Sequence, residues 1–257
     1  MSNNTDRFRM SLIEHLEELR KRIVYSLVAL AVAFAGCFAF KDYLLGFLVG
    51  PLNGRQLITL APAEAFMTAF KVAAYGAIII ASPMIIYQIW AFVAPGLKAK
   101  EKKLVYTATV FTSLLFFGGV AFCWYLVLPR GLEFLLNYQS DYFAQQVQAS
   151  KYFSFVVLFA LGFGLVFELP AFLLTLMRLG FVNYKTLAKN RRYAILIGAI
   201  VSAVLTPTQD IVSMMAMAVP FYVLYELSIQ LGRFVQKRKP EKDAEIVEGG
   251  PEGEAAG

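Results

Sequence analysis

The sequence predicts an all-α integral membrane protein with six transmembrane helices and both termini on the same side. Three observations carry that prediction. Hydrophobic residues make up 58% of the 257 residues and charged residues only 16%, against about 25% charged in an ordinary soluble domain. The apolar residues fall into runs that can cross a hydrocarbon core of about 30 Å, which takes roughly 17 to 25 helical residues. The bases, 24 Lys+Arg against 18 Asp+Glu, collect in alternate connecting segments. A core of this size cannot hide so much apolar surface, and the same composition excludes a disordered chain. Cys37 and Cys123 both sit inside apolar runs, which excludes a disulfide scaffold. Lipid offers the backbone no partners, so spans must be helices unless they close into a barrel. No strand-length alternation suggests a barrel.

Taken in order, the spans are residues 23–40, 66–93, 104–128, 152–177, 194–205 and 211–231. They divide the chain into an amphipathic cytoplasmic segment, 1–22, a six-helix membrane domain, 23–235, and an acidic tail, 236–257, with the composition of a disordered segment. The segments before span 1 and after spans 2, 4 and 6 hold 19 of the bases, the opposite side holds four, and Lys71 lies within span 2. By the positive-inside rule both termini are cytoplasmic. A cleaved signal peptide would also place an apolar run near the N-terminus. The long run and the four acids that precede it argue against cleavage.

Span 5 is short. Its 12 residues rise only about 18 Å as a helix, and Thr206-Pro207 ends it close to span 6. Either the hairpin thins the bilayer or recruits neighbours, or the helix starts earlier, near Arg191, with its arginines snorkelling. Pro220 interrupts span 6 and is expected to kink it. No internal repeat is visible, which gives an inverted-repeat transporter no support.

Several residues have the chemistry for a site. Leu12, Leu16, Leu19 and Ile23 form an apolar stripe at helical spacing. Glu14, Glu18 and Lys21 are expected on the opposite face, with Glu18–Arg22 and Glu17–Lys21 as possible i,i+4 pairs. A solvated entry to span 1 explains that pattern, except that Glu14 and Glu18 repel each other. Glu101 is the one acid among four lysines after span 2, where Pro95-Gly96 ends the helix. It either neutralises its neighbours or receives an incoming cation. Glu168 lies deep in span 4 beside Pro170, where an ionisable group costs at least ~2.5 kcal/mol and normally faces a cavity or a partner. It serves either as a structural acid or as a functional one. Glu226 in span 6 is similar but nearer the cytoplasmic end. On the outer side, Glu64 can cap span 2 near its positive end. His15 stands alone, so no metal site is assigned, and no phosphate loop or catalytic motif is present. No enzyme activity, cofactor or nucleic-acid partner is expected.

Several stretches together resemble one family: His15 to Arg22, Leu60 to Phe66, Tyr87 to Leu97 with Glu101-Lys102, Phe167 to Pro170, and Thr206-Pro207 with Asp210. In that order, across six spans with both ends inside, they resemble the TatC family of the twin-arginine translocase, over about residues 11 to 235. The resemblance implies a concave arrangement with short helices 5 and 6, in the bacterial cytoplasmic (inner) membrane. It implies a receptor that recognises the paired arginines of signal peptides on folded cargo, and transport driven by the proton-motive force. The implied partners are single-span TatB-like and TatA-like proteins, other copies of the chain and membrane lipid.

By motif, Glu18 and Glu101 meet the two guanidinium groups, whose planar fork suits a carboxylate as lysine does not. Arg20 and His15 support the site, and Phe92 and Pro95 shape it. Pro51, Pro62 and Glu64 order the outer loops. Glu168 is the polar group inside the concave face. Thr206, Gln209, Asp210 and Ser213 mark the docking wall for a partner helix, although Met214 and Met215 stand where the family often offers a polar side chain. The alternative function is a proton-coupled small-solute transporter using Glu168, which predicts repeated halves and more polar groups at mid-depth.

Overall fold

The structure, a computed structural model, describes residues 12–52, 54–93, 102–138, 146–206 and 210–248. Among the described residues five segments are long and apolar enough to span a membrane: Glu14–Ala39, Glu64–Phe92, Tyr106–Asn137, Ala149–Arg178 and Ile211–Phe234. The short helix expected as span 5 is not among them. Pro95, Glu101 and Gln209 lie outside the described residues. The chain falls into two compact units, residues 1–165 with 205–209, and residues 166–204 with 210–257.

In the first unit, α1 (Leu12–Ala39) joins the N-terminal segment and span 1 in one helix of 28 residues. It packs along α3 (Glu64–Val93), and α3 packs in turn on α4 (Lys102–Phe122). The apolar stripe of the N-terminal segment does not face inward as a whole. Leu16 is 64% and Ile23 49% exposed, while Glu18, Leu19, Arg22 and Ser26 are the half-buried residues. Glu18 is therefore not on the solvated face with Glu14 and Lys21. Lipid accepts an apolar face as readily as a protein core does, so polar residues that find partners take the inner face.

Two prolines shape the spans. Pro83 lies inside α3 and lacks the N–H that Ile79 O would accept. The Ser82 hydroxyl donates to that carbonyl at 2.7 Å, so the helix continues. Pro129 opens α5 (Leu128–Asn137) and follows a π-helical turn, Cys123–Val127, in which Leu128 N–H reaches back to Cys123 O. Span 3 therefore runs on to Asn137, beyond its expected end at residue 128. Where α4 meets α6 (Ala149–Phe167), a Cβ at Gly164 would lie 2.7 Å from the Phe116 ring, so only glycine allows the approach.

The base-poor ends of these helices carry a tied layer of short elements. It consists of α2 (Lys41–Val49), a 3₁₀ turn holding Pro51 (Gly50–Leu52), β1 (Leu57–Ile58) and β2 (Val147–Gln148). The strands pair in parallel, Leu57 with Val147 and Ile58 with Gln148. Buried Tyr152 donates its hydroxyl to Leu48 O at 2.8 Å. Arg55 donates to Leu136 O and to Asn137 Oδ1, at 3.2 and 2.7 Å, at the C-terminal end of α5. There a cation suits the negative end of the helix dipole.

In the second unit, α7 (Leu169–Leu179) and α8 (Tyr184–Lys189) both pack on α10 (Ile211–Glu248). Span 4 is thus not one unbroken helix: α6 stops at Phe167, Glu168 takes the N-cap position, and Pro170 sits in the first turn of α7. Proline is well placed there because its missing N–H is one of the unpaired donors of a helix start. The fifth span, α9, runs Arg191–Leu205, so the earlier of its two possible starts is the observed one. Its 15 residues rise about 22 Å, still short of the hydrocarbon thickness. An added Cβ at Gly198 would lie 2.6 Å from the Phe221 ring, so α9 and α10 approach closely at that glycine. Helix α10 continues through Pro220 and on to Glu248, within the acidic tail. Glu, Lys and Ala in that stretch are good helix formers.

Candidate functional site

The basic ends of α1 and α3 build the candidate site. Arg22 on α1 reaches its neighbour one turn back, donating from Nη2 to Glu18 Oε1 at 3.0 Å. Its Nη1 donates to Gln88 Oε1 on α3, also at 3.0 Å. Gln88 is only 4% exposed, and its amide nitrogen lies 3.9 Å from Met84 Sδ. A buried amide needs partners, and Arg22 supplies the acceptor's partner. The ion pair itself is reachable, with side-chain exposures of 27% for Arg22 and 20% for Glu18.

A turn away, the His15 ring stacks on Phe92 with centroids 4.4 Å apart and planes 19° apart. Between these contacts a mostly apolar cleft runs along the two helices, lined by Leu19, Ile23, Leu27, Ile85, Ile89 and Phe92 among others. Glu14, Glu17, Glu18, Lys21, Arg22 and Tyr25 border a shallow charged depression on the α1 side. The arrangement offers a carboxylate at a membrane surface, flanked by a hydrogen-bonding amide, a stacked aromatic pair and an apolar cleft. That combination suits a cationic peptide followed by an apolar stretch.

The structure brings Glu18, His15 and Phe92 to one helix pair. Arg20 is exposed on α1 and has no part in the contacts of Arg22 with Glu18 and Gln88. Gln88 was not among the expected site residues. The signal that could have found it is an amide set in the long apolar run of α3, one turn before Phe92.

The remaining residues fall elsewhere. Glu64 is buried and opens α3. Its carboxylate accepts from Leu60 N–H at 2.7 Å and from Ser150 N–H at 3.1 Å, in the first turn of α6. It therefore caps the entry of α6 and ties down the loop before α3, where a cap of α3 itself was expected. Pro62 lies in the turn before it. Among the described residues, Glu168 Oε1 is buried without a hydrogen-bond partner. Glu226 is not a lone intramembrane acid. It accepts Arg191 Nε and Nη2 at 3.0 and 2.5 Å, tying α10 to the start of α9. Asp210 Oδ1 accepts from Ser213 N–H at 2.7 Å, the usual service of an N-cap aspartate. Ser213 and Thr206 are buried, whereas Val204, Ile211 and Met215 are exposed.

The family profile described as Sec-independent protein translocase protein (TatC) matches residues 14–220. The chain belongs to the TatC family. It is 39% identical over 232 residues to the Sec-independent protein translocase protein TatC of Carboxydothermus hydrogenoformans, covering 90% of this chain and 96% of that protein. It is 41% identical over 221 residues to the protein of the same description from Helicobacter pylori strain J99, covering 86% of this chain and 88% of that one. A crystal structure of the twin-arginine translocase receptor TatC superposes with a TM-score of 0.80 at 34% identity, over 87% of this chain and all of that one. The family match takes in Glu18, Gln88, Phe92, Glu168 and Asp210, and ends before Glu226. As a TatC-family membrane protein the chain is a translocase component, and its resemblance by motif agrees with its resemblance by whole-chain fold.

Proposed function

We propose that this protein is the signal-peptide receptor of a twin-arginine translocase. In this reading it binds the paired arginines of folded precursors at the cytoplasmic face of the bacterial inner membrane, with both termini on that side. It then nucleates assembly with TatB-like and TatA-like single-span proteins and further copies of itself, and transport draws on the proton-motive force. The observation that carries the reading is the Glu18 carboxylate: it is partly accessible on α1 and engaged with the guanidinium of Arg22, which in turn reaches Gln88 on α3. Glu101 is the proposed second carboxylate. His15 and Phe92 form the aromatic side of the site, with Arg20 and Pro95 shaping its approach. Glu168 is the proposed intramembrane polar group, acting after binding.

Photo-crosslinking in inverted membrane vesicles tests this. A signal peptide carries the probe beside its arginine pair, and a twin-lysine peptide is the control. Arginine-dependent adducts near Glu18 are expected, together with loss of export in Glu101→Ala while the protein still accumulates. Equal labelling by both peptides, or full export by Glu101→Ala, would reject the assignment.

A further inference from the structure

We infer that Arg22 is a resident competitor: its guanidinium holds the Glu18 carboxylate until an incoming cation displaces it, and this competition sets the apparent affinity of the site. The inference rests on the proposed role of Glu18 as a carboxylate for cargo arginine.

Three features support an exchangeable contact over a permanent one. The Glu18–Arg22 pair is made through a single contact, Nη2 to Oε1 at 3.0 Å, whereas a free arginine can offer both arms of its fork to one carboxylate. The two residues are one helical turn apart on α1, and pairs at that spacing are individually weak. Both side chains remain partly accessible, at 27% and 20%, beside an open cleft.

Gln88 makes the exchange practicable. Buried on α3, it accepts from Nη1 of Arg22, the arm that does not touch Glu18. When Nη2 leaves the carboxylate, Nη1 keeps its acceptor, so the displaced guanidinium is not stranded beside an apolar cleft. Ser26 donates its hydroxyl to Arg22 O at 3.0 Å, which occupies the backbone carbonyl of the same residue.

Competition of this kind lowers apparent affinity by the fraction of protein whose Glu18 is free. That loss is common to every cationic ligand, so it cancels from the arginine-over-lysine ratio. The second arm of a ligand arginine favours it over a lysine ammonium, a point charge without a fork, whether or not Arg22 is present.

The test is peptide binding to the full-length protein in lipid nanodiscs, read by fluorescence anisotropy with twin-arginine and twin-lysine signal peptides. In Arg22→Gln the competitor is gone. Both peptides should then bind about two- to threefold tighter, leaving the selectivity ratio unchanged. Arg22→Lys keeps the charge without the fork and should move both peptides in the same direction by less. If Arg22→Gln does not fold, Arg22→Lys decides alone. Unchanged or weaker arginine binding in the folded variants overturns the competitor role, since Arg22 then only positions Glu18. Glu18→Gln separates the two claims. If it binds twin-arginine peptide like the parent, the site assignment fails together with the inference. If it loses binding while Arg22→Gln gains none, only the inference fails.

Discussion

Glu226 on α10 takes two arms of the Arg191 guanidinium at the first residue of α9. A positive side chain at a helix start is poorly placed against the helix dipole, and the carboxylate offsets that by a forked contact. The pair joins the basic ends of the two helices whose approach is set at Gly198. Glu226→Gln should therefore loosen the first turn of α9. Hydrogen–deuterium exchange in detergent is expected to rise several-fold at residues 191–195 and to stay unchanged in α1 and α3. Unaltered exchange at α9 would mean that helix packing alone holds the hairpin.

Glu64 links the β1 loop, α3 and α6 through two backbone amides. Charge-assisted bonds of this kind are about twice as strong as neutral ones. Glu64→Gln keeps the shape but loses the charge and one acceptor oxygen. The thermal midpoint is expected to drop by about 2–4 °C, the shift typical of losing one such interaction in a chain of this size. Glu64→Ala should fall further. A midpoint equal to the parent's would show that water replaces the carboxylate at no cost.

Glu168 contributes a buried oxygen with no hydrogen-bond partner among the described residues, a feature that costs stability. Glu168→Leu should raise the thermal midpoint by about 2–4 °C while export of folded cargo falls sharply. Glu168→Gln distinguishes charge from polarity in the same export assay. A stability gain with normal export would remove the acid from the mechanism.

Of the polar residues expected to receive a partner helix, Ser213 and Thr206 are buried and Asp210 caps α10. The outward residues nearby are apolar: Val204 is 75% and Ile211 77% exposed. We expect a cysteine at Val204 to form crosslinks with single-span partners in native membranes, and a cysteine at Ser213 to form few. The reverse pattern would place docking on the buried polar side after a rearrangement.

Glu18, His15 and Phe92 were named from the motifs that carry the family resemblance, and the structure sets all three on the α1–α3 pair. The side on which α1 would present Glu18 was not readable. Helical spacing puts Leu16 and Ile23 on one face, and in a soluble protein that face would turn inward. In a bilayer both faces have an apolar option, so partners on α3, above all Gln88, decide the rotation. For the same reason Glu226 looked like a solitary intramembrane acid until Arg191 was found against it.

The sequence by itself determined the membrane class, the order of the spans and the distribution of charge between the two sides, because those follow from hydrocarbon thickness and local composition. It also left α9 with only two possible starts. The tertiary structure decided which polar groups meet. Gln88 lies 66 residues from Arg22, Ser150 lies 86 from Glu64, and Glu226 lies 35 from Arg191. Contacts over such separations depend on how helices rotate and approach one another, and no local pattern along the chain encodes that.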